Sequence, residues 1–388
     1  MSRPLRLLTL GHSYVVGTNR ALARALADAG AGAWEVTAAA PAAFPGDLGP
    51  IRLEPRPGER VEPLAVRGAG RIHTMTYGRG LRALLRRGWD VVHCWEEPFV
   101  LAGAQVAGWT PPEARLVFAT FQNLPRRYPP PFRWTERFAM RRAAGWVAFG
   151  RTVEAALRDR PGYRTRPHRV IAPGVDTSRF RPDPGAGAEV RRSLGWRGDD
   201  PPVVGYLGRF VPEKGLETLM RALDGCREPW RALFVGGGPM EGDLRAWAAR
   251  HGEGVRIVTG VGHADVPGYL NAMHLLCAPS RTTPRWAEQF GRMLTEAMAC
   301  GVPCIGSDSG EIPHVLADAG VVVAEDDVAA WTRALDALLV DASGRADLAA
   351  RGLARVEAEY ALPVVARRHL EFFRELMGGT CEPGRRSA

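Results

Sequence analysis

Apolar residues in this chain follow two alternating patterns: short continuous runs bounded by glycine, proline or acidic residues, and longer stretches with apolar positions every three or four residues. In the first half, Leu5 to Leu10, Val91 to Cys94 and Leu116 to Thr120 read as strands and Asn19 to Ala29 as a helix. A region rich in proline and glycine, Pro41 to Gly70, is assigned no element. The second half repeats the rhythm more cleanly. Strands are predicted at Val203 to Gly208, Ala232 to Gly236, Val255 to Thr259, Leu275 to Ala278, Cys304 to Gly306 and Val321 to Val323. Helices are predicted at Leu216 to Cys226, Met240 to Arg250, Val266 to Met273, Gly291 to Cys300 and Ala329 to Leu339. This alternation is an α/β pattern with parallel sheets.

A chain of 388 residues exceeds what one core usually supports, so two nucleotide-type α/β domains are expected in succession. The reading divides the chain into a first domain over residues 1–175 and a second over 176–362, with Asp176 to Gly187 as the linker. A last helix follows over residues 363–377, and the tail 378–388 is expected to be disordered. Six cysteines without paired spacing read as reduced thiols of a cytoplasmic protein, and no cysteine or histidine pair near Cys300 and Cys304 completes a metal set. The first apolar run is too short for a signal sequence, and no run approaches the ~18 apolar residues of a membrane span.

Charge is unevenly divided. Up to Asp183 there are 28 arginines and 15 acids, whereas the remainder holds 23 basic and 27 acidic residues. The first half therefore carries a positive field that suits anionic lipid, acidic glycan or nucleic acid alike. Among the 51 basic residues only Lys214 is a lysine. It lies in GlyArgPheValProGluLysGly, Gly208 to Gly215, directly after a predicted strand. Open parallel sheets bind ligands beyond the carboxyl ends of their strands. Arg209 and Lys214 there combine a planar fork with a compact ammonium, which suits a diphosphate. A second constellation, GluGlnPheGlyArgMetLeuThrGlu, brackets Phe290 and Gly291 with Glu288 and Glu296. Gly291 permits close approach of backbone N–H groups to an anion at a helix start. Were both glutamates helical they would stand ~12 Å apart along the axis, too far for a paired-carboxylate hydrolase and suited to two parts of one long ligand. Both also read as ordinary solvent-facing helix glutamates.

These phrases, with ValGlyGlyGlyPro at Val235 to Pro239, AlaProSer at Ala278 to Ser280 and ProGlyValAspThrSerArgPhe at Pro173 to Phe180, resemble in order the glycosyltransferase family 4 pattern. The resemblance is dense from Pro173 to Val323 and thinner before it. It implies a GT-B architecture of two facing Rossmann-like domains with an interdomain cleft, the nucleotide-sugar donor on the second domain and the acceptor on the first. The last helix is expected to cross back to the first domain. Carried over by position, Arg209 and Lys214 become the diphosphate clamp and Glu296 the partner of the ribose hydroxyls. Glu288, with Phe290 and Gly291, faces the donor sugar and phosphate, and Gly208 and Gly17 join the donor contacts. The resemblance implies a retaining, metal-independent transfer in which the leaving diphosphate helps deprotonate the acceptor hydroxyl. No cofactor is implied, and no Asp-x-Asp pair is present to hold a metal diphosphate.

Two departures from the family pattern stand in the first half. Gly11 and Gly17 bracket HisSerTyrValVal where a glycine-rich turn is usual, leaving Gly17 to open a helix beneath phosphate. Gln122 and Asn123 occupy a position usually held by histidine, and neither can act as a base. His93 and Glu97 are acceptor-side candidates, although His93 reads more readily as structural. The stretch Pro125 to Arg142 interleaves arginine with Tyr128, Phe132, Trp134 and Phe138. It suits an anionic membrane surface or a solvated face with buried aromatics better than single-stranded nucleic acid, which is not an expected partner. The expected partners are a nucleotide-sugar donor and a glycan, lipid-linked or small-molecule hydroxyl acceptor, for a cytoplasmic enzyme peripheral to the inner face of a membrane. Rival readings are a sugar-nucleotide epimerase and a non-catalytic sugar-nucleotide binder. From sequence, Lys214→Ala is expected to abolish donor binding with little change in fold.

Overall fold

The computed structural model describes residues 3–46 and 49–378, so the predicted tail lies almost wholly outside the described residues. The chain forms two compact units. One comprises residues up to Gly174 together with the chain from Leu362, and the other is Val175–Ala361.

The first unit is built on a seven-stranded parallel sheet. Across it run His168–Val170, Gly145–Ala148, Arg115–Thr120, Val91–Cys94, Leu5–Leu10, Trp34–Pro41 and Val61–Leu64. Helices cover both faces, so Val91–Cys94 and Gly145–Ala148 are buried at every position; this is why such strands read as unbroken apolar runs. The Pro- and Gly-rich region is more ordered than the sequence suggests. Ala43–Gly46 pairs antiparallel with Gly49–Arg52, and Val61–Leu64 joins the main sheet. Pro63 is tolerated there because the strand lies at the sheet edge, where one row of backbone groups needs no ladder partner.

The helix Leu362–Leu376 packs within this unit, alongside the helix Ala21–Ala29. Its apolar stripe inserts Val365, Leu370, Phe372 and Phe373 into a cluster with Leu7, Val91, Val117 and Val147. Burying each phenylalanine contributes about 1.5–3 kcal/mol, which explains why a distant segment of sequence docks on this sheet.

The second unit carries a six-stranded parallel sheet in the order Val255–Val258, Arg231–Gly237, Val203–Arg209, Leu275–Ala278, Cys304–Ser307 and Gly320–Val323. The stretch read as linker contains the start of a helix, Pro184–Ser193. Asp183 caps it by accepting from the Ala186 N–H, with proline at the first helical turn, the arrangement expected at a helix start. Strand order reverses between Val203–Arg209 and Leu275–Ala278 in this unit, and between Leu5–Leu10 and Val91–Cys94 in the first. Beyond the carboxyl ends of such strand pairs the diverging connections leave a crevice.

Candidate functional site

The reversal point of the second sheet gathers the residues around Lys214. The strand Val203–Arg209 ends at Arg209, whose side chain is 60% exposed and 4.0 Å from Glu213. The chain then makes a short 3-10 turn, Pro212–Lys214, before the helix Leu216–Asp224. Gly215 joins turn and helix at φ +69°, and a Cβ there would lie 1.7 Å from the Pro279 carbonyl oxygen. Only glycine allows the strand end at Ala278 to approach so closely.

That approach brings Ser280 and Glu288 to the lysine. Lys214 Nζ donates to Glu288 Oε2 at 2.5 Å, and Ser280 Oγ donates to the same oxygen at 2.7 Å. The Lys214 and Glu288 side chains are 12% and 8% exposed. The ammonium also stands 4.9 Å from the centre of the Trp286 ring, within cation–π range. The glutamate is fixed from behind as well. Its carbonyl accepts from the Glu311 N–H at 2.9 Å, and Gly310, at φ +54°, passes so near that a Cβ would meet that carbonyl at 2.0 Å.

Glu288 lies in the irregular segment before the helix Arg292–Ala299, so only Glu296 is helical and the ~12 Å axial spacing does not apply. Gly291 caps that helix in the left-handed conformation. Phe290 is buried with its ring edge-on to Tyr360, so the side chain packs inward and only its backbone is left to meet a ligand. Glu296 is half-buried, 3.9 Å from Arg292. Burial raises its pKa, and the charges of Arg292 and Arg179 pull it part of the way back. Arg179 comes from the ProGlyValAspThrSerArgPhe phrase, and its Nη2 is buried without a hydrogen-bond partner. Among the described residues, no three His, Cys, Asp or Glu side chains are grouped to hold a metal ion.

In the first unit the sequence candidates are placed less favourably. Gly17 does not open a helix, because turns continue to the helix start at Ala21 and the amides of Asn19, Arg20 and Ala21 are taken by the carbonyls of Val16, Gly17 and Thr18. His93 is wholly buried against Trp95, His369 and Phe373. Burial and the neighbouring His369 hold its pKa well below the usual histidine range, so it is a core residue out of reach of an acceptor. Glu97 ties two strand ends together, accepting from Thr120 Oγ1 and the Phe121 N–H, both at 2.7 Å. Burial pushes its pKa up to about 7 against those two hydrogen bonds. Gln122 donates to the Leu124 carbonyl, and Asn123 is half-buried beside it.

The reversal point of this sheet is held by a pair that sequence reasoning missed. Glu96, wholly buried, accepts from the His12 N–H at 2.6 Å and Tyr77 Oη at 2.5 Å, and lies 2.8 Å from His12 Nδ1. Burial lowers the His12 pKa, but the hydrogen bond and charge of Glu96 outweigh it and the net shift is upward. The available signal was the position of both residues just past the strands Leu5–Leu10 and Val91–Cys94.

Residues 189–355 match the family described as glycosyl transferases group 1, and residues 17–179 match glycosyltransferase family 4. The lipopolysaccharide core biosynthesis mannosyltransferase LpsB of Rhizobium meliloti is 33% identical over 257 residues, 62% of this chain and 71% of that protein. A GDP-mannose-dependent α-(1-6)-phosphatidylinositol monomannoside mannosyltransferase of Mycolicibacterium smegmatis is 39% identical over 180 residues, 44% of this chain and 47% of that protein. The chain thus spans under half the length of that second relative. Among solved structures, Anabaena HepE in complex with UDP and glucose has a TM-score of 0.71 at 18% identity, covering 96% of this chain and 100% of that one. That likeness is one of fold, and it assigns the two parallel-sheet units to the GT-B class. From the family matches and the identity to LpsB, this chain belongs to glycosyltransferase family 4 and is a glycosyl-transferring enzyme.

Proposed function

We propose that the enzyme moves mannose, with retention, from GDP-mannose to a hydroxyl of a phosphate-bearing glycolipid or related glycan acceptor. The observation that carries this reading is the single lysine held by a buried glutamate at the reversal point of the second sheet. Arg209, exposed at the strand end, and Lys214 hold the diphosphate. Glu296 receives the ribose hydroxyls, and Glu288 faces the donor sugar while keeping the ammonium in place before the donor arrives. Charge that develops on the departing diphosphate is met by cations already in position, the arrangement that lowers a barrier most. The neutralising charge is assigned to these two side chains, with no metal. The sugar and base follow the two relatives, both named as mannosyltransferases and one as GDP-mannose-dependent.

No described helix is long and apolar enough to cross a membrane. The helix Phe132–Arg142 leaves Trp134 59% and Phe138 38% exposed, one turn apart and flanked by exposed Arg133, Arg137 and Arg141. A basic helix with exposed aromatics suits the headgroup layer of an anionic membrane, which supports peripheral attachment and a lipid-linked acceptor.

Thermal unfolding with GDP, UDP, ADP, TDP and CDP tests the donor assignment. GDP at a hundred times its dissociation constant adds ~2.7 kcal/mol, and that gain should vanish in Arg209→Ala. Mannose transfer from GDP-mannose to a phosphatidylinositol glycoside should follow. Stabilisation by another nucleotide alone would reassign the base, and none with any nucleotide would overturn the clamp.

A further inference from the structure

A cavity of about 560 Å³ lies in the first unit, formed by the loop Pro125–Tyr128, the helix Phe132–Arg142 and the segment Arg160–Tyr163. Its volume is in the ~300–1,000 Å³ range of small-molecule sites. Five guanidinium groups line it, those of Arg126, Arg127, Arg133, Arg137 and Arg160, against one carboxylate, Glu136. Arg160 Nη2 donates to Glu136 Oε2 at 2.8 Å, so that carboxylate is already paired.

Two polar atoms of this lining are buried and unpaired. Arg160 Nη1 and Tyr128 Oη have no hydrogen-bond partner. The guanidinium carbon of Arg160 is 5.4 Å from the centre of the Tyr128 ring. That ring is stacked on Phe99 with centroids 4.0 Å apart, so the hydroxyl is carried on an immobilised ring. Buried donors without partners are rare and disfavoured, and both belong to side chains that line a cavity with surplus positive charge. An acceptor-only group with several oxygens suits such a lining, and the planar guanidinium fork is suited to phosphate. The cavity exceeds the size of a bare phosphate and leaves room for the body that bears it.

We propose that this pocket binds a phosphate group carried on a sugar, polyol or lipid headgroup, with Tyr128 and Arg160 as its inner donors and the remaining arginines as its rim. The pocket is lined by residues of the first unit alone and does not depend on the donor assignment. The ligand source is either a soluble phosphate ester or a phospholipid headgroup, and the two are distinguished by the probe.

Hydrogen exchange of the full chain, read on peptides covering residues 125–137 and 157–164, provides the test. Inorganic phosphate and pyrophosphate are titrated at constant ionic strength, and phosphatidylcholine vesicles with and without phosphatidylglycerol are compared. Protection of both peptides by the free anions supports a soluble ester, and protection only by phosphatidylglycerol vesicles supports a headgroup. Tyr128→Phe removes one unpaired hydroxyl and nothing else, so it should leave the unfolding temperature unchanged or higher. The half-saturating concentration should rise about tenfold, as expected for one lost hydrogen bond to a charged group. The exposed Arg137→Ala is the second variant and should weaken binding in the same direction. No protection with any probe would overturn the proposal, as would unchanged affinity in both variants.

Discussion

Replacing Lys214 by alanine should destabilise the protein, contrary to what its sequence alone suggests. The lysine is one half of an ion pair whose side chains are 12% and 8% exposed. Its removal leaves the Glu288 carboxylate buried with the Ser280 hydroxyl as its side-chain donor at Oε2. Breaking a buried pair at one end costs about 3–5 kcal/mol, and the residual water access argues for the lower end. For a unit the size of Val175–Ala361, a loss of about 3 kcal/mol lowers the unfolding temperature by roughly 6–12 °C. Loss of nucleotide binding in that variant is therefore ambiguous by itself. The double variant Lys214→Ala/Glu288→Gln separates the causes. A neutral amide removes the stranded charge, so about half the lost stability should return while nucleotide-induced stabilisation stays absent. Denaturant unfolding followed by calorimetry with GDP measures both quantities. A Lys214→Ala protein within ~0.5 kcal/mol of wild type would refute the argument that this pair is desolvated. A double variant less stable than the single one would refute the account of the stranded carboxylate.

Other perturbations follow from the same structure. Gly310→Ala places a Cβ 2.0 Å from the Glu288 carbonyl oxygen at φ +54°; it should displace Glu288, lower the unfolding temperature and abolish nucleotide-induced stabilisation, and a variant with normal stabilisation would exclude this contact as a support of the site. His369 is buried beside His93, and burial lowers its pKa to about 4. The unfolded state therefore binds more protons between about pH 6.5 and 4, so stability present above pH 6.5 is lost as pH falls, by roughly 3 kcal/mol from this group. His369→Leu should flatten the decline measured by denaturant titration across that range, and an unchanged slope would show that His369 is not its source.

Much of the second unit was legible because its determinants are local. Strands buried on both faces must be apolar throughout, so Leu275–Ala278 was recognisable as a short run, and the phrases at its reversal point sit just past strand ends. The first unit was less legible. The alanine-rich strand Trp34–Pro41 lacks a strong β-forming pattern, and Val61–Leu64 hides behind Pro63, which only an edge position accommodates. The sequence left His93 open between a structural and an acceptor-side role for a similar reason. His93 and His12 both lie at or just past the carboxyl ends of neighbouring central strands, and only burial assigns one to the core and the other to the reversal point.

The order of apolar runs, the turn residues and the motif phrases determined the α/β class, the two-sheet organisation and the family, because period and spacing act over a few residues. Tertiary structure decided which charges meet. Lys214 and Glu288 are separated by 74 residues and His12 and Glu96 by 84, and each pair exists only because neighbouring parallel strands bring distant segments together beyond their carboxyl ends. It also decided that Lys214 supports the fold, since the cost of removing a charge depends on how far its partner has been withdrawn from water.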